Sequence, residues 1–280
     1  MVKHGQTEIP SLLTRYELKY QIPLSLVESV SQFVSAYCRL DRYSQESPDM
    51  YYQVVSLYFD SPSYTFLKRR LHRAENRFNM RIRSYGTPSG LPCFFEVKEK
   101  RNRIVKKYRG QVRDEGWPMV FGSAGVPLNH DTCTGKDCLE LFESLALAYD
   151  AAPKVLTRYW RKAYISEVDD YARVTFDRNL MFQARDTYSV IPDDDAMVNY
   201  DNASIFDENA SVILELKCCC SRVPMWMLDL IRCFNLQQGR FSKYAAGMAA
   251  VFQSQDGAAL GRIPAMQCMD TVRGGSNGLC

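Results

Sequence analysis

FNMRIRSYGTPSGLPCFFEVKEKRNRIVKKYRG, residues 78–110, places two strand-like runs on either side of a turn rich in glycine and proline. In the first run Arg81 and Arg83 alternate with Met80 and Ile82; in the second Glu96, Lys98 and Lys100 alternate with Phe95, Val97 and Glu99. Side chains along a strand point alternately to opposite faces, so each charged set shares a face. A third run, 104–110, adds Lys106, Lys107 and Arg109, and a register slip of one residue exchanges Lys106 with Lys107. Cations this dense on adjacent strands repel unless water or an anion separates them. A solvated sheet face is the ordinary explanation of such a run; a cavity holding a polyanion is the other.

The same alternation recurs outward along the chain. Strand-like segments at 14–20, 52–60, 155–168, 171–177 and 211–218 add Glu17 and Lys19, Arg161, Arg173, and Glu215 and Lys217 to the charged faces. Amphipathic helices are expected at 24–38, 63–71 (opened by Ser61-Pro62), 137–149, 224–234 and 242–252, with a polar loop at 39–50. Residues 111–137 and 185–208 read as irregular. The basic run at 68–73 reads as a solvated helix face, with guidance of an entering polyanion as the alternative. Consecutive strands without a βαβ rhythm exclude a Rossmann fold and predict an α+β chain. The expected architecture is an antiparallel eight-stranded β-barrel with helices packed around it and at its ends. The chain divides into a leader at 1–11, one domain at 12–253 and a disordered tail at 254–280.

With a net charge of only +3 there is no global basic field of the kind a non-specific nucleic-acid binder carries. The cations are local, which points to an anion site. The ten cysteines form no CxxC pair and fit reduced thiols in a cytoplasmic protein. No apolar run reaches the roughly 20 residues of a membrane span, and no signal peptide is evident.

If the charged faces point into the barrel, the lumen is strongly basic. Buried like charges are costly unless paired. A phosphate chain meets that need, because Arg gives bidentate donors to phosphate oxygens and Lys a mobile point charge. Carboxylates among the cations suit a hard divalent cation bridging phosphates. Glu215, mid-strand between Leu214 and Leu216, leads as metal ligand, followed by Glu17 and Glu96.

RYELKY (15–20), SLYFDSP (56–62), MRIRSYG (80–86), FEVKEK (95–100), LTRYWRKAY (156–164), RVTFD (173–177), ILELK (213–217) and GRFSKYAAGM (239–248) together resemble the VTC domain. This is the polyphosphate polymerase branch of the triphosphate tunnel metalloenzymes, the CYTH-like superfamily. The resemblance implies a triphosphate tunnel that uses Mn²⁺ or Mg²⁺ and passes the terminal phosphate of ATP to inorganic polyphosphate, releasing ADP. It implies catalytic roles for Lys19, Arg81, Arg83, Lys98, Arg161 and Glu215, the last also as metal ligand. Lys107, Tyr159, Arg173, Lys217, Arg240, Ser242 and Lys243 are the implied substrate-binding residues; Arg240 stands where the pattern often has lysine.

Hydrolytic tunnel enzymes carry an ExExK signature on the first strand, but here position 15 is Arg, which favours polymerase over hydrolase. A tunnel phosphohydrolase and a non-catalytic polyphosphate-binding module are the competing readings. Eukaryotic polymerases of this kind carry a phosphate-sensing domain and membrane helices; without them the expected type is the soluble, stand-alone one of bacteria. ATP and polyphosphate are the expected partners, not nucleic acid or membrane, and no oligomeric state is implied.

Overall fold

A computed structural model describes residues 15–86, 89–102, 104–113, 115–122, 133–169, 171–199, 212–219 and 223–254. The expected leader at 1–11 and all but the first residue of the expected tail lie outside these. In chain order the elements are β1 (Arg15–Ile22), α1 (Val27–Ser35), β2 (Cys38–Leu40), α2 (Arg42–Glu46), β3 (Tyr52–Asp60), α3 (Thr65–Leu71), β4 (Arg77–Ser84), β5 (Cys93–Arg101), β6 (Ile104–Val112), α4 (Met119–Gly122), β7 (Cys133–Thr134), α5 (Lys136–Tyr149), β8 (Ala152–Ser166), β9 (Ala172–Ala184), β10 (Val198–Asn199), β11 (Val212–Cys219), α6 (Met225–Cys233) and α7 (Lys243–Ser254).

One sheet runs β1-β11-β9-β8-β3-β4-β5-β6-β7, with β2 added to β8 and β10 to β9, and every pair is antiparallel. The eight expected strands are the eight long ones. β2, β7 and β10 have only two or three residues each, too few to leave an alternation in the sequence. The polar loop expected at 39–50 instead holds β2 and α2, where the buried Asp41 accepts from the Ser44 N–H at 2.9 Å as an N-cap. The sheet is barrel-like rather than hydrogen-bonded shut: among the described residues no ladder joins β1 to β6 or β7.

Three cores hold this sheet in its curl. On the outer face, α5 packs Cys138, Leu139, Phe142 and Ala146 against Phe59, Phe95 and Val97, with Phe142 edge-on to Phe59 and Phe95 at 5.2 and 5.0 Å. Also outside, Val27, Val30 and Val34 of α1 and Trp226, Met227 and Leu230 of α6 cover Val174, Phe176, Leu214 and Leu216. On the inner face, α7 packs Tyr244, Ala245 and Met248 against Val155, Tyr159 and Phe182. Small residues let this helix lie close, and a Cβ at Gly247 would sit 2.7 Å from Phe182 Cδ1. The β8–β9 register shifts at a bulge in β9 opposite Tyr159, where Asn179 is in the left-handed region (φ 51°). The bulge keeps Leu180 and Phe182 on the same side as Thr175 and Asp177.

Asp60, fully buried at the end of β3, fixes α3 and α7 together. Its carboxylate accepts from the N–H groups of Ser61 (2.8 Å), Phe66 (2.9 Å) and Leu67 (2.9 Å), and from the Tyr244 hydroxyl (2.5 Å). The N-cap of α3 is Tyr64 rather than Ser61, and Pro62 lies outside the helix; Ser61 Oγ still accepts from the first-turn Thr65 N–H at 3.0 Å.

Candidate active site

The inner face of β4, β5 and β6 is built around one carboxylate. Glu96, 2% exposed, lies opposite Arg81 on β4 and Arg109 on β6. It receives Arg81 at 2.7 Å, Lys107 at 2.6 Å, Arg109 at 3.5 Å and Arg83 at 4.0 Å. Burial alone would raise the Glu96 carboxyl, but Arg81, Arg83 and Lys107 hold it well below the usual carboxylate range. Lys107, not Lys106, is the residue on this face: Lys106 pairs with Glu99 on the other side of the ladder. Burial and the repulsion of Arg81 and Arg83 push the Lys107 amine down to about 7, against the pull of Glu96. Glu96 is thus surrounded by cations, while its buried Oε1 makes no hydrogen bond of good geometry. Arg83 is fixed further by Ser56 Oγ (3.2 Å) and the Tyr159 hydroxyl (3.4 Å), so Tyr159, almost fully buried, faces the site.

A second carboxylate, Asp177 on β9, organises the far wall. It is wholly buried and accepts from Arg161 through two guanidinium nitrogens, at 2.7 and 2.8 Å, and from Lys243 at 2.6 Å. Lys243 opens α7 and also lies 4.4 Å from the Tyr159 ring centroid. Burial opposes the Asp177 charge, yet Arg161 and Lys243 hold its carboxyl far below normal. Ser242 is a cap: its Oγ accepts from the Ala245 N–H at 3.4 Å.

Between the two lies the β1–β11 pair. Register sets Lys19 beside Glu215 and Glu17 beside Lys217. Glu215 is buried with Lys217 at 3.5 Å and Lys19 at 3.8 Å, both beyond good hydrogen-bond distance. Burial would raise its carboxyl; Lys217, Lys19, Arg161 and Lys243 together hold it well below the usual range. Lys19 does not pair with Glu17; it reaches the Phe241 carbonyl at 3.3 Å, while Glu17 is taken by Lys98 from across the sheet at 2.7 Å. The Lys19 and Lys217 amines are both lowered, first by burial.

Of the expected residues, Lys19, Arg81, Arg83, Lys98, Lys107, Tyr159, Arg161, Glu215, Lys217 and Lys243 thus converge on one concave face. Arg173 joins it at the start of β9, held by Asp41 at 2.7 Å. Arg240 is exposed in the segment before α7 and forms no ion pair among the described residues. The sequence reading gave no site role to the two buried organisers Asp177 and Asp41, or to Arg109, which it placed on the third cationic run. It also missed Arg70. That residue, on the run read as a solvated helix face or a polyanion guide, is half-buried, and burial with the neighbouring Arg77 lowers its guanidinium pKa. The signal for Asp177 was present, since RVTFD keeps Arg173, Thr175 and Asp177 on one face; for Arg70 there was none, because helix periodicity cannot show which sheet face a helix end overhangs.

Among the described residues no three His, Cys, Asp or Glu side chains form a metal cage. Among the described residues, the cations nearest to the Glu215 carboxylate, Lys217 and Lys19, stand at 3.5 and 3.8 Å. One or two carboxylates plus phosphate oxygens and water is the donor set that suits Mg²⁺ or Mn²⁺. The residues therefore fit a divalent cation that arrives with a phosphate ligand.

The family model for the VTC domain matches residues 14–252. Subunit 4 of the vacuolar transporter chaperone complex from Trypanosoma cruzi (strain CL Brener) is 26% identical over 239 residues, covering 71% of this chain and 28% of that protein. The Trypanosoma brucei brucei (strain 927/4 GUTat10.1) subunit 4 is 23% identical over 236 residues with the same coverage. The chain thus spans less than a third of the length of these relatives. Among solved structures, a putative adenylate cyclase from Bacillus halodurans aligns with a TM-score of 0.47 and 10% identity, covering 83% of this chain and 94% of that one.

Proposed function

The chain belongs to the VTC domain family, and from that premise we propose that it is a polyphosphate polymerase that transfers the γ-phosphate of ATP to the end of an inorganic polyphosphate chain, releasing ADP. The unit proposed to do this is residues 12–253. One observation carries the reading: the inner face holds more cations than carboxylates, and its buried carboxylates Glu96 and Asp177 are already committed, so the remaining positive charge awaits a polyanion.

In this reading Arg81, Arg83, Lys107 and Lys98 bind the phosphate oxygens from one wall, and Lys19, Arg161, Arg173, Lys217 and Lys243 from the other. The donors are preorganised: Glu96, Ser56 and Tyr159 fix the arginines of β4, and Asp177 fixes Arg161 and Lys243, so little reorganisation accompanies charge movement. An oxygen of the polyphosphate terminus attacks the γ-phosphorus in line; the new P–O bond forms as the bond to the β-phosphate bridging oxygen breaks, and the electron pair leaves on ADP. The attacking oxygen is already ionised, so no side chain need accept a proton. Glu215 would hold a Mn²⁺ or Mg²⁺ ion, which neutralises phosphate charge when bound.

Arg at position 15, in place of a second first-strand carboxylate, favours the polymerase over a tunnel hydrolase. A cytoplasmic setting is part of the proposal, in line with the reduced thiols that the cysteine spacing suggests, and among the described residues no helix is long and apolar enough to cross a membrane. The test is incubation of the purified protein with ATP and Mn²⁺, reading ADP, free phosphate and long-chain polyphosphate in one tube. Polymer rising in step with ADP supports the proposal. Phosphate without polymer moves the assignment to a hydrolase, and polyphosphate binding without turnover to a binding module. Glu215→Gln is expected to keep the fold and lose metal-dependent turnover.

A further inference from the structure

At one end of the cationic face, aromatic rings are stacked outward from the arginines. Tyr85, just past β4, accepts from Arg109 Nη2 at 3.1 Å. Arg109 in turn lies 3.5 Å from Glu96 and covers the Phe94 ring at 3.9 Å, so it joins the phosphate-binding wall to the rings. Tyr43 of α2 stacks on Tyr85 with centroids 5.6 Å apart and planes 8° from parallel. Tyr52 closes the cluster at 5.4 Å from Tyr43, and its hydroxyl donates to Asp41, the carboxylate that also holds Arg173. Tyr43 is 52% exposed, a large aromatic surface left open to solvent where the two walls of arginines end.

Phosphate recognition needs no aromatic group; a purine or pyrimidine does, because every base offers a π-face that stacks on a tyrosine. We infer that Tyr43, backed by Tyr85 and Tyr52, is a stacking platform for the base of the nucleoside triphosphate whose phosphates occupy the cationic face. This deepens the proposed function and rests on its polyanion reading. Stacking tolerates any base, so the platform separates nucleotides from base-free polyphosphates and discriminates weakly among bases. Tyr85 and Tyr52 are held by hydrogen bonds to Arg109 and Asp41, which fix the plane that Tyr43 presents.

The experiment measures the affinities of wild type, Tyr43→Ala and Tyr43→Phe for ATP, GTP and inorganic tripolyphosphate by calorimetry, without turnover. Tyr43→Ala is expected to weaken ATP and GTP alike by about tenfold, within the range for one base on one ring. It should leave tripolyphosphate affinity within about twofold, and Tyr43→Phe should behave as wild type. Equal weakening of all three ligands, or none of any, overturns the platform. Wild type that binds tripolyphosphate but not ATP removes the platform and keeps the polyanion site; wild type that binds neither removes both.

Discussion

Lys98 on β5 donates to both carboxylate oxygens of Glu17 on β1, at 2.9 and 2.7 Å, although β11, β9, β8, β3 and β4 lie between the two strands along the sheet. The sheet therefore curls until its first and seventh strands touch through side chains, with no ladder between them among the described residues. Both groups remain well exposed, at 41% and 33%, so the pair is screened and contributes about 0–1 kcal/mol to stability. Lys98→Met is expected to leave the thermal midpoint within about 2 °C while weakening tripolyphosphate about tenfold, the loss of one charge-assisted contact. A large drop in the midpoint with unchanged affinity would make Lys98 a closure residue instead.

Asp177 is the opposite case, because it is wholly buried. Removing its charge leaves Arg161 and Lys243 uncompensated in the interior, which costs about 3–5 kcal/mol. Asp177→Asn should lower the urea midpoint accordingly, and a change below about 1 kcal/mol would contradict the buried triad. The pH sign follows from the same group. The carboxyls of Asp177, Glu96 and Glu215 are all depressed on folding, so their stabilisation is fully present above the unfolded values near pH 4 and is lost as pH falls below them. Wild-type unfolding should steepen below about pH 4.

Glu96 restrains four cations that would otherwise repel. Glu96→Gln should lower the melting temperature, and tripolyphosphate should restore more of it than it adds to wild type, since the ligand supplies the missing negative charge. A ligand-induced shift no larger than that of wild type would show that the cation fan does not meet the polyanion.

Desolvation by the barrel wall, together with Arg81 and Arg83, pushes the Lys107 amine down to about 7, although 46% of its side chain is exposed. Its folded value lies below its unfolded one, so the folded chain binds fewer protons between about pH 7 and 10, and this residue makes stability rise with pH across that window. Its charge grows as pH falls through about 7. Raising pH from 6.5 to 8.5 should therefore weaken polyanion binding, beyond the ligand's own titration, in wild type and less in Lys107→Arg, whose charge is permanent. Parallel pH profiles for the two proteins would remove Lys107 from the site.

Local alternation was enough to name most of the inner face. Arg81 and Arg83, Glu96 and Lys98, and Glu215 and Lys217 each sit two residues apart, and a period of two assigns them to one face without any knowledge of neighbours. The long strands and the helices at 137–149 and 224–234 followed from the same periodicities, because each buries one apolar stripe. The VTC motifs added what periodicity could not, an expected ligand for that face.

Pairing belongs to the fold alone. Which lysine meets which carboxylate depends on register and on strands far apart in sequence: Lys19 faces Glu215 rather than Glu17, Lys107 rather than Lys106 reaches Glu96, and Asp177 gathers Arg161 with Lys243, 66 residues further on. The short strands β2, β7 and β10 left no alternation to read. The sequence determined which side chains share a face, since strand geometry is local; the tertiary structure decided which charges are neutralised and which remain for a ligand, since distances between strands are set by packing and curl.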